Sequence, residues 1–251
     1  MFGALLSYYN TGVANSTVRL NDSTGPSDTL LIIPTKNEEE AIGELVSESR
    51  ANGFSNILVI DGFSSDSTLE VAKRAGARVI FQEFGNGKGC GVRTGMKEFL
   101  QGNYEYLYMI DGDGSCVPSY LMNMIYTAKM QKADVVLGSR TRGQRDKKAM
   151  NLLSLASNLT VSFILGIKFE RIFTDVQTGY WLFTRDAVER VYPQIESSGF
   201  EIELELFVTV LRMGLRVIEI PAGFRLRKGH SKFRFELRMR NLYFALKFLV
   251  S

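Results

Sequence analysis

The stretch LLIIPTKNEEEAIGELVSESR, Leu30 to Arg50, changes its period half way along. It opens with unbroken aliphatic residues closed by Pro34, the pattern of a short strand buried on both faces. After Asn37 and the acidic run Glu38 to Glu40, apolar residues recur at Ile42, Leu45 and Val46, the spacing of one helix face. The acidic residues fall where a helix N-terminus favours negative charge. The same strand, polar loop and helix recur down the chain. NILVID (56–61) precedes a helix expected from about Ser65, and RVIF (78–81) precedes one expected from about Lys88. YLYMID (106–111) precedes PSYLMNMIYTAKMQK (118–132), with ADVVLG (133–138) after it. This alternation predicts an α/β fold with a mostly parallel, Rossmann-like sheet, helices on both faces, and ligands beyond the carboxyl ends of the strands. Thr35 to Glu38, Asp61, and the pair Asp111 and Asp113 each follow directly on a strand, so their loops should converge on one rim.

At 251 residues with 45% hydrophobic content, the chain can bury a sizeable core as one domain. Its net charge of +3, from 30 basic and 27 acidic residues, is too small to advertise a nucleic-acid partner. Cys90 and Cys116 lack paired spacing and His230 is the sole histidine, so a divalent cation here needs oxygen ligands. Residues 1–28 read as an N-terminal extension without the basic start of a signal peptide. Ala149 to Ile167 carries no charge, but Asn151, Ser154, Ser157, Asn158, Thr160 and Ser162 interrupt it, so it suits an interface better than a membrane span.

YLYMIDGDGSCVP (106–118) ends a buried strand in two carboxylates, Asp111 and Asp113, separated by Gly112. Such a turn can hold a hard divalent cation whose remaining positions go to a diphosphate; a solvated turn that caps the next helix fits the three residues as well. A calcium loop is excluded, because Cys116 stands where its glycine is needed and Met122 where its bidentate glutamate is needed. FGNGKGCGVRTG (84–95) lacks the spacing of a P-loop or a dinucleotide fingerprint, leaving a glycine-rich helix entry with Lys88 and Arg93 able to face an anion. Asp61 can accept from a base or ribose, while Ser64 to Asp66 read as helix capping.

In order and spacing, IPTKNEE, VIDGFSSDST, GKGCGVRTG, MIDGDGS, GSR, DVQTGYWLFTRD, GFEIELEL and GHSK together resemble the family 2 glycosyltransferases across roughly Leu30 to Lys232. Within that family the chain is most similar to synthases that load a sugar onto dolichyl or polyprenyl phosphate. The resemblance implies a GT-A domain over 29–232. It implies Mg²⁺ or Mn²⁺ on Asp111 and Asp113, and nucleotide-sugar contacts from Pro34, Lys36, Glu38, Asp61, Lys88, Asp111, Asp175, Gln177 and Arg227. Lys36 replaces the family's usual aromatic, Gly62 the second Asp of its frequent DDGS, and Ser115 its frequent Gln. Asp113, Arg140 and Lys232 are implied as catalytic, the two cations facing phosphate.

The implied reaction displaces a nucleoside diphosphate from the anomeric carbon with inversion. A phosphate monoester, with a second pKa of about 6, is mostly dianionic at neutral pH and attacks without a dedicated base. Residues 233–251 then read as a basic amphipathic helix with the stripe Phe235, Met239, Leu242, Leu246 and Leu249, placing a peripheral enzyme at the cytoplasmic face of a membrane; packing on the protein's own core is the other reading of that stripe. Lys88–Gly89 and DGDGS incline the donor towards UDP-sugars over GDP-mannose. The rival functions are extension of a polysaccharide or lipid-linked oligosaccharide, with Glu201, Glu203 or Glu205 as base, and a non-catalytic nucleotide-sugar-binding subunit. A nucleotidyltransferase would need a Gly- and Arg-rich loop after the first strand, which the chain lacks.

Overall fold

The computed structural model describes residues 26–229, 239 and 241–246. Most of the predicted 1–28 extension and of the 233–251 helix therefore lies outside the described residues, as do His230 and Lys232. The elements run β1 (Thr29–Thr35), α1 (Glu39–Ala51), β2 (Asn56–Asp61), α2 (Thr68–Arg74), β3 (Arg78–Phe81), α3 (Lys88–Gln101), β4 (Tyr106–Met109), α4 (Leu121–Gln131), β5 (Val135–Ser139), α5 (Leu152–Lys168), β6 (Trp181–Thr184), α6 (Arg185–Val191), α7 (Ile202–Arg212) and β7 (Val217–Pro221). The alternation expected from the sequence is present from β1 to β5; α2 starts at Thr68 rather than Ser65 because the intervening residues form a loop that binds the β1 loop.

The seven strands form one sheet in the order β3-β2-β1-β4-β6-β5-β7. All neighbours pair in parallel except β6, which runs antiparallel between β4 and β5. β1 is buried along its whole length, as its unbroken aliphatic run requires. Alternate residues of the central strands feed two cores. Leu30, Ile32, Leu58 and Ile60 pack with Val92, Met96 and Phe99 of α3 and with α5, α6 and α7. Leu31, Ile33 and Val59 pack with Ile42, Leu45 and Val46 of α1 and with α4. The chain leaves β1 towards β2 on one side and returns to β4 on the other. The carboxyl ends of β1 and β4 thus flank the point where the winding reverses, where an open α/β sheet leaves a crevice.

Candidate active site

The crevice is a cavity of about 540 Å³. Pro34, Thr35, Lys36 and Glu38 enter it from the β1 loop, Gly87 and Lys88 from the start of α3, and Asp111, Gly112, Asp113 and Ser115 from the β4 loop. The β1 loop is held open by the β2 loop. Asn37, at φ 50°, receives the Ser65 N–H on its side-chain oxygen (2.8 Å) and donates its own N–H to Ser64 Oγ (2.8 Å). Glu38 N–H donates to Thr68 Oγ1 (2.8 Å). Asp61 is fully buried below this seam, where it accepts from the Ser64 N–H (2.8 Å) and hydroxyl, and it is not among the residues lining the cavity.

Gly112 separates the two aspartates because a Cβ there would run into Thr35 Cγ2. Gly179 likewise lies so close that a Cβ would strike the Asp111 carboxylate. Asp113 Oδ1 accepts from the N–H (3.0 Å) and hydroxyl (2.6 Å) of Ser115, and its Oδ2 faces Arg227 at 3.2 Å. Lys88 bridges Asp111 (2.5 Å) and Glu203 of α7. Burial opposes the Lys88 charge, but the pull of Asp111 and then Glu203 holds its pKa above the ordinary lysine value. Burial also acts against Asp111, which Lys88 nevertheless keeps below the usual carboxylate range. Glu203 moves the other way: burial raises it, and repulsion from Asp111 offsets part of the help it gets from the shared ammonium.

Arg140 lines the cavity but is tied to a fully buried Asp175 through Nε (2.8 Å), Nη2 (2.7 Å) and its backbone N–H (2.8 Å). Its Nη2 also donates to the Gln177 carbonyl at 2.6 Å. The bidentate fork fixes the turn carrying Gln177 and Gly179 against Asp111. Arg225 reaches Glu48 of α1 (2.8 Å), and Lys228 pairs with Glu44, so the segment bearing Arg227 is anchored on α1.

Of the residues named from sequence, Pro34, Lys36, Glu38, Lys88, Asp111, Asp113, Arg140, Gln177 and Arg227 line this one cavity, and Asp175 stands behind Arg140. Among the rival bases only Glu203 lines it. Glu205 accepts the N–H groups of Glu196 (3.0 Å) and Ser197 (2.9 Å), and Glu201 that of Gly199 (3.2 Å). Asn158, Phe200 and Asn241 also line the cavity, although the sequence does not single them out as ligands; its one signal is the asparagine interrupting an uncharged run. Among the described residues no group of three or more acidic, histidine or cysteine side chains gathers to hold a metal. Two carboxylates at the floor of a cavity fit a Mg²⁺ or Mn²⁺ ion that completes its shell with phosphate oxygens and water, and do not fit a cation needing an all-protein cage.

Comparison with known proteins agrees with this geometry. Residues 30–192 match the model of the family described as glycosyl transferase family 2. The chain is 33% identical over 199 residues to the glycosyltransferase AglJ of Haloferax volcanii, covering 79% of this chain and 63% of that protein's length. It is 26% identical to the UDP-N-acetylglucosamine–dolichyl-phosphate N-acetylglucosaminyltransferase of Methanococcus voltae, covering 76% of this chain and 83% of the relative. The fold resembles that of glucosyl-3-phosphoglycerate synthase from Mycobacterium tuberculosis, crystallised with Mn²⁺, UDP-glucose and phosphoglyceric acid. The TM-score is 0.65 at 17% identity, over 88% of this chain and 79% of the other. With the family match spanning the sheet through β6 and the loops that carry both aspartates, the chain belongs to glycosyl transferase family 2.

Proposed function

We propose that the protein moves a hexose from a nucleotide sugar, a UDP-sugar in preference to GDP-mannose, to dolichyl or polyprenyl phosphate with inversion at the anomeric carbon. The observation that carries this reading is one cavity where the Asp111 and Asp113 carboxylates share the lining with cationic side chains, among them Lys88, Arg140 and Arg227. Such a site suits two anions that must approach each other. The sugar C1–O bond to the diphosphate breaks as a phosphate oxygen of the acceptor bonds to C1, and the electron pair leaves on the nucleoside diphosphate. Mg²⁺ or Mn²⁺ held by Asp111 and Asp113 supplies, when bound, positive charge against the departing diphosphate. Lys88 and Arg227 sit against those carboxylates and are placed to contact phosphate once it enters, and Arg140 positions the Gln177 turn. Lys232 remains assigned to the acceptor phosphate within this proposal.

The acceptor class is supported by the relative named for transfer to dolichyl phosphate, and by the surface beside the cavity. Ser154, Ser157 and Asn158 of α5 line the cavity, while Leu152 (82% exposed), Leu159, Phe163 (69% exposed) and Ile167 project outward from the same helix. Met239, Tyr243 and Leu246 are exposed on the C-terminal segment, whose residues 241–246 are helical. No helix among the described residues is long and apolar enough to cross a membrane. The proposed location is therefore peripheral, on the cytoplasmic face, with the α5 face and residues 233–251 in contact with lipid.

The test supplies labelled UDP-glucose, UDP-N-acetylglucosamine and GDP-mannose with Mn²⁺ and vesicles containing polyprenyl phosphate. The expected product is a single labelled sugar on the lipid phosphate, lost in EDTA. A second reading, transfer to a saccharide hydroxyl, draws on the burial-raised pKa of Glu203 at the cavity wall. Glu203→Gln decides between them: it leaves a base-free phosphate attack within about tenfold but costs a base-dependent reaction about 10²–10⁴-fold. Label on a saccharide acceptor and none on polyprenyl phosphate overturns the first reading.

A further inference from the structure

Three side-chain amides that line the cavity each leave one polar atom without a partner among the described residues. Asn158 (3% exposed) donates its Nδ2 to the Thr174 carbonyl at 3.3 Å, so its Oδ1 is the free end. That Oδ1, the Oδ1 of Asn241 (2% exposed) and the Nε2 of Gln177 are buried without a hydrogen-bond partner among the described residues, and all three side chains line the cavity. A buried polar atom left unpaired is a cost that a well-packed core avoids, so these three amide atoms, with the Arg227 Nε in the same lining, point to a ligand.

We infer that Asn158, Asn241 and Gln177 form the subsite that reads the hydroxyl groups of the donor sugar, with Asn158 and Asn241 as its specificity-determining residues. The inference rests on the transferase reading above and names the part of its site that chooses the sugar. The polarity of the free amide atoms carries it. Two are acceptors and one is a donor, whereas a phosphate oxygen at neutral pH offers no hydrogen to either asparagine; the Nε of Arg227, a cationic donor also buried without a partner at this cavity, suits the phosphates instead. A sugar hydroxyl both donates and accepts, and so satisfies all three. Position agrees with polarity. The Gln177 to Gly179 turn is fixed by Arg140 and packs against Asp111, so this turn lies beside the carboxylate proposed to face the diphosphate, one bond from which the sugar begins. Asn158 of α5 and Asn241 of the C-terminal segment line the same cavity. The sugar is thus gripped by elements far apart in sequence, which explains why no contiguous motif announces the subsite.

The experiment measures binding of the full-length chain, with Mn²⁺ and no acceptor, to UDP, UDP-glucose, UDP-N-acetylglucosamine, GDP and GDP-mannose. For the best-bound sugar nucleotide, the ratio of its Kd to that of its own nucleoside diphosphate isolates the sugar's share. Asn158→Leu and Asn241→Leu are each expected to raise that ratio about five- to tenfold, the effect of one lost neutral hydrogen bond, and to narrow discrimination among the sugars. Nucleoside diphosphate affinity should stay within about twofold, which also reports an intact fold. Asn158→Asp, which keeps an acceptor oxygen, is expected to retain more of the sugar preference than Asn158→Leu. Should Asn158→Leu fail to fold, Asn241→Leu carries the test. A ratio unchanged in a folded variant that still binds nucleoside diphosphate overturns the subsite alone. A wild-type chain that binds none of these sugar nucleotides overturns the transferase reading and the subsite with it.

Discussion

Arg140 and Lys88 were both read from sequence as cations for phosphate, and the structure separates their work. Arg140 is bonded to an Asp175 with no solvent exposure, so removing the guanidinium leaves a buried carboxylate without its counterion, held there by the backbone N–H of residue 140. Arg140→Ala should destabilise the fold by about 3–5 kcal/mol. For a domain of this size that is a fall in Tm of roughly 6–20 °C, readable by calorimetry; Arg140→Lys should recover only part of it, because one ammonium cannot reproduce the fork. An unchanged Tm with lost activity would make Arg140 a phosphate contact alone. Lys88 is instead a counterion shared by Asp111 and Glu203. Burial works against the Asp111 charge and Lys88 overcomes it, leaving the folded pKa below an unfolded value of about 3.9. The stability from that depressed pKa is complete above the unfolded value and lost as pH falls through the folded one. Lys88→Met removes it and leaves the two carboxylates without their shared cation. The variant should thus be less stable than wild type at pH 7, with the gap contributed by Asp111 closing only as pH falls below about 4, through its folded pKa. Urea unfolding at about pH 7 and at a pH below about 4 measures this, and a gap independent of pH contradicts the shared-counterion role.

Element by element, legibility followed burial. β1, β2, β4 and β5 lie inside the sheet, so their aliphatic runs stood out, and the loops after β1 and β4 were placed correctly because parallel strands share one carboxyl edge. β6 was read only as part of DVQTGYWLFTRD, since it is four residues long and runs straight into α6 capped by Thr184; its antiparallel insertion is a tertiary event without a local signal. Two charges in the β2 loop were also ambiguous from sequence. Asp61 and Asp66 carry the same side chain, and only the fold reveals that both bind loop backbone, Asp66 through the N–H groups of Thr68 (3.0 Å) and Glu39 (3.3 Å). For α5 the sequence offers only an uncharged stretch suited to an interface; that its polar interruptions Asn151, Ser154, Ser157 and Asn158 line the cavity emerges from the fold. Phe163→Glu with Ile167→Glu should weaken binding to polyprenyl-phosphate vesicles at least tenfold, because each change removes apolar area from the proposed interface. Both side chains are more than half exposed, so stability should shift by less than about 0.5 kcal/mol and nucleotide affinity should hold. Vesicle retention equal to wild type would remove α5 from the proposed membrane contact.

At the scale of the molecule, the sheet's reversal of winding between β1 and β4 gathers charges that the sequence holds far apart. Asp111, Asp113 and Glu203 meet Lys88 and Arg227 at the floor of one cavity, and each aspartate already has a cationic partner. A divalent cation entering alone must compete with Lys88 and Arg227 for those carboxylates. A diphosphate entering alone meets the carboxylates before the cations are free to turn to it. If the two arrive together, the metal would take the aspartates and the diphosphate the displaced ammonium and guanidinium, so each ligand would remove the other's obstacle. The two should therefore bind with positive coupling, and linkage requires the effect to be reciprocal. With Mn²⁺ and UDP at fixed concentrations, the rise in Tm with both present should exceed the sum of the rises with each alone. Titration calorimetry should find Mn²⁺ tightening UDP by the same factor, about 5- to 150-fold, as UDP tightens Mn²⁺. Lys88→Met should shrink that factor by strengthening Mn²⁺ binding in the absence of UDP, since Asp111 then has no internal cation to give up. Additive Tm shifts in wild type, or coupling undiminished in Lys88→Met, would mean that the cations seen beside the aspartates stay there when the site is loaded.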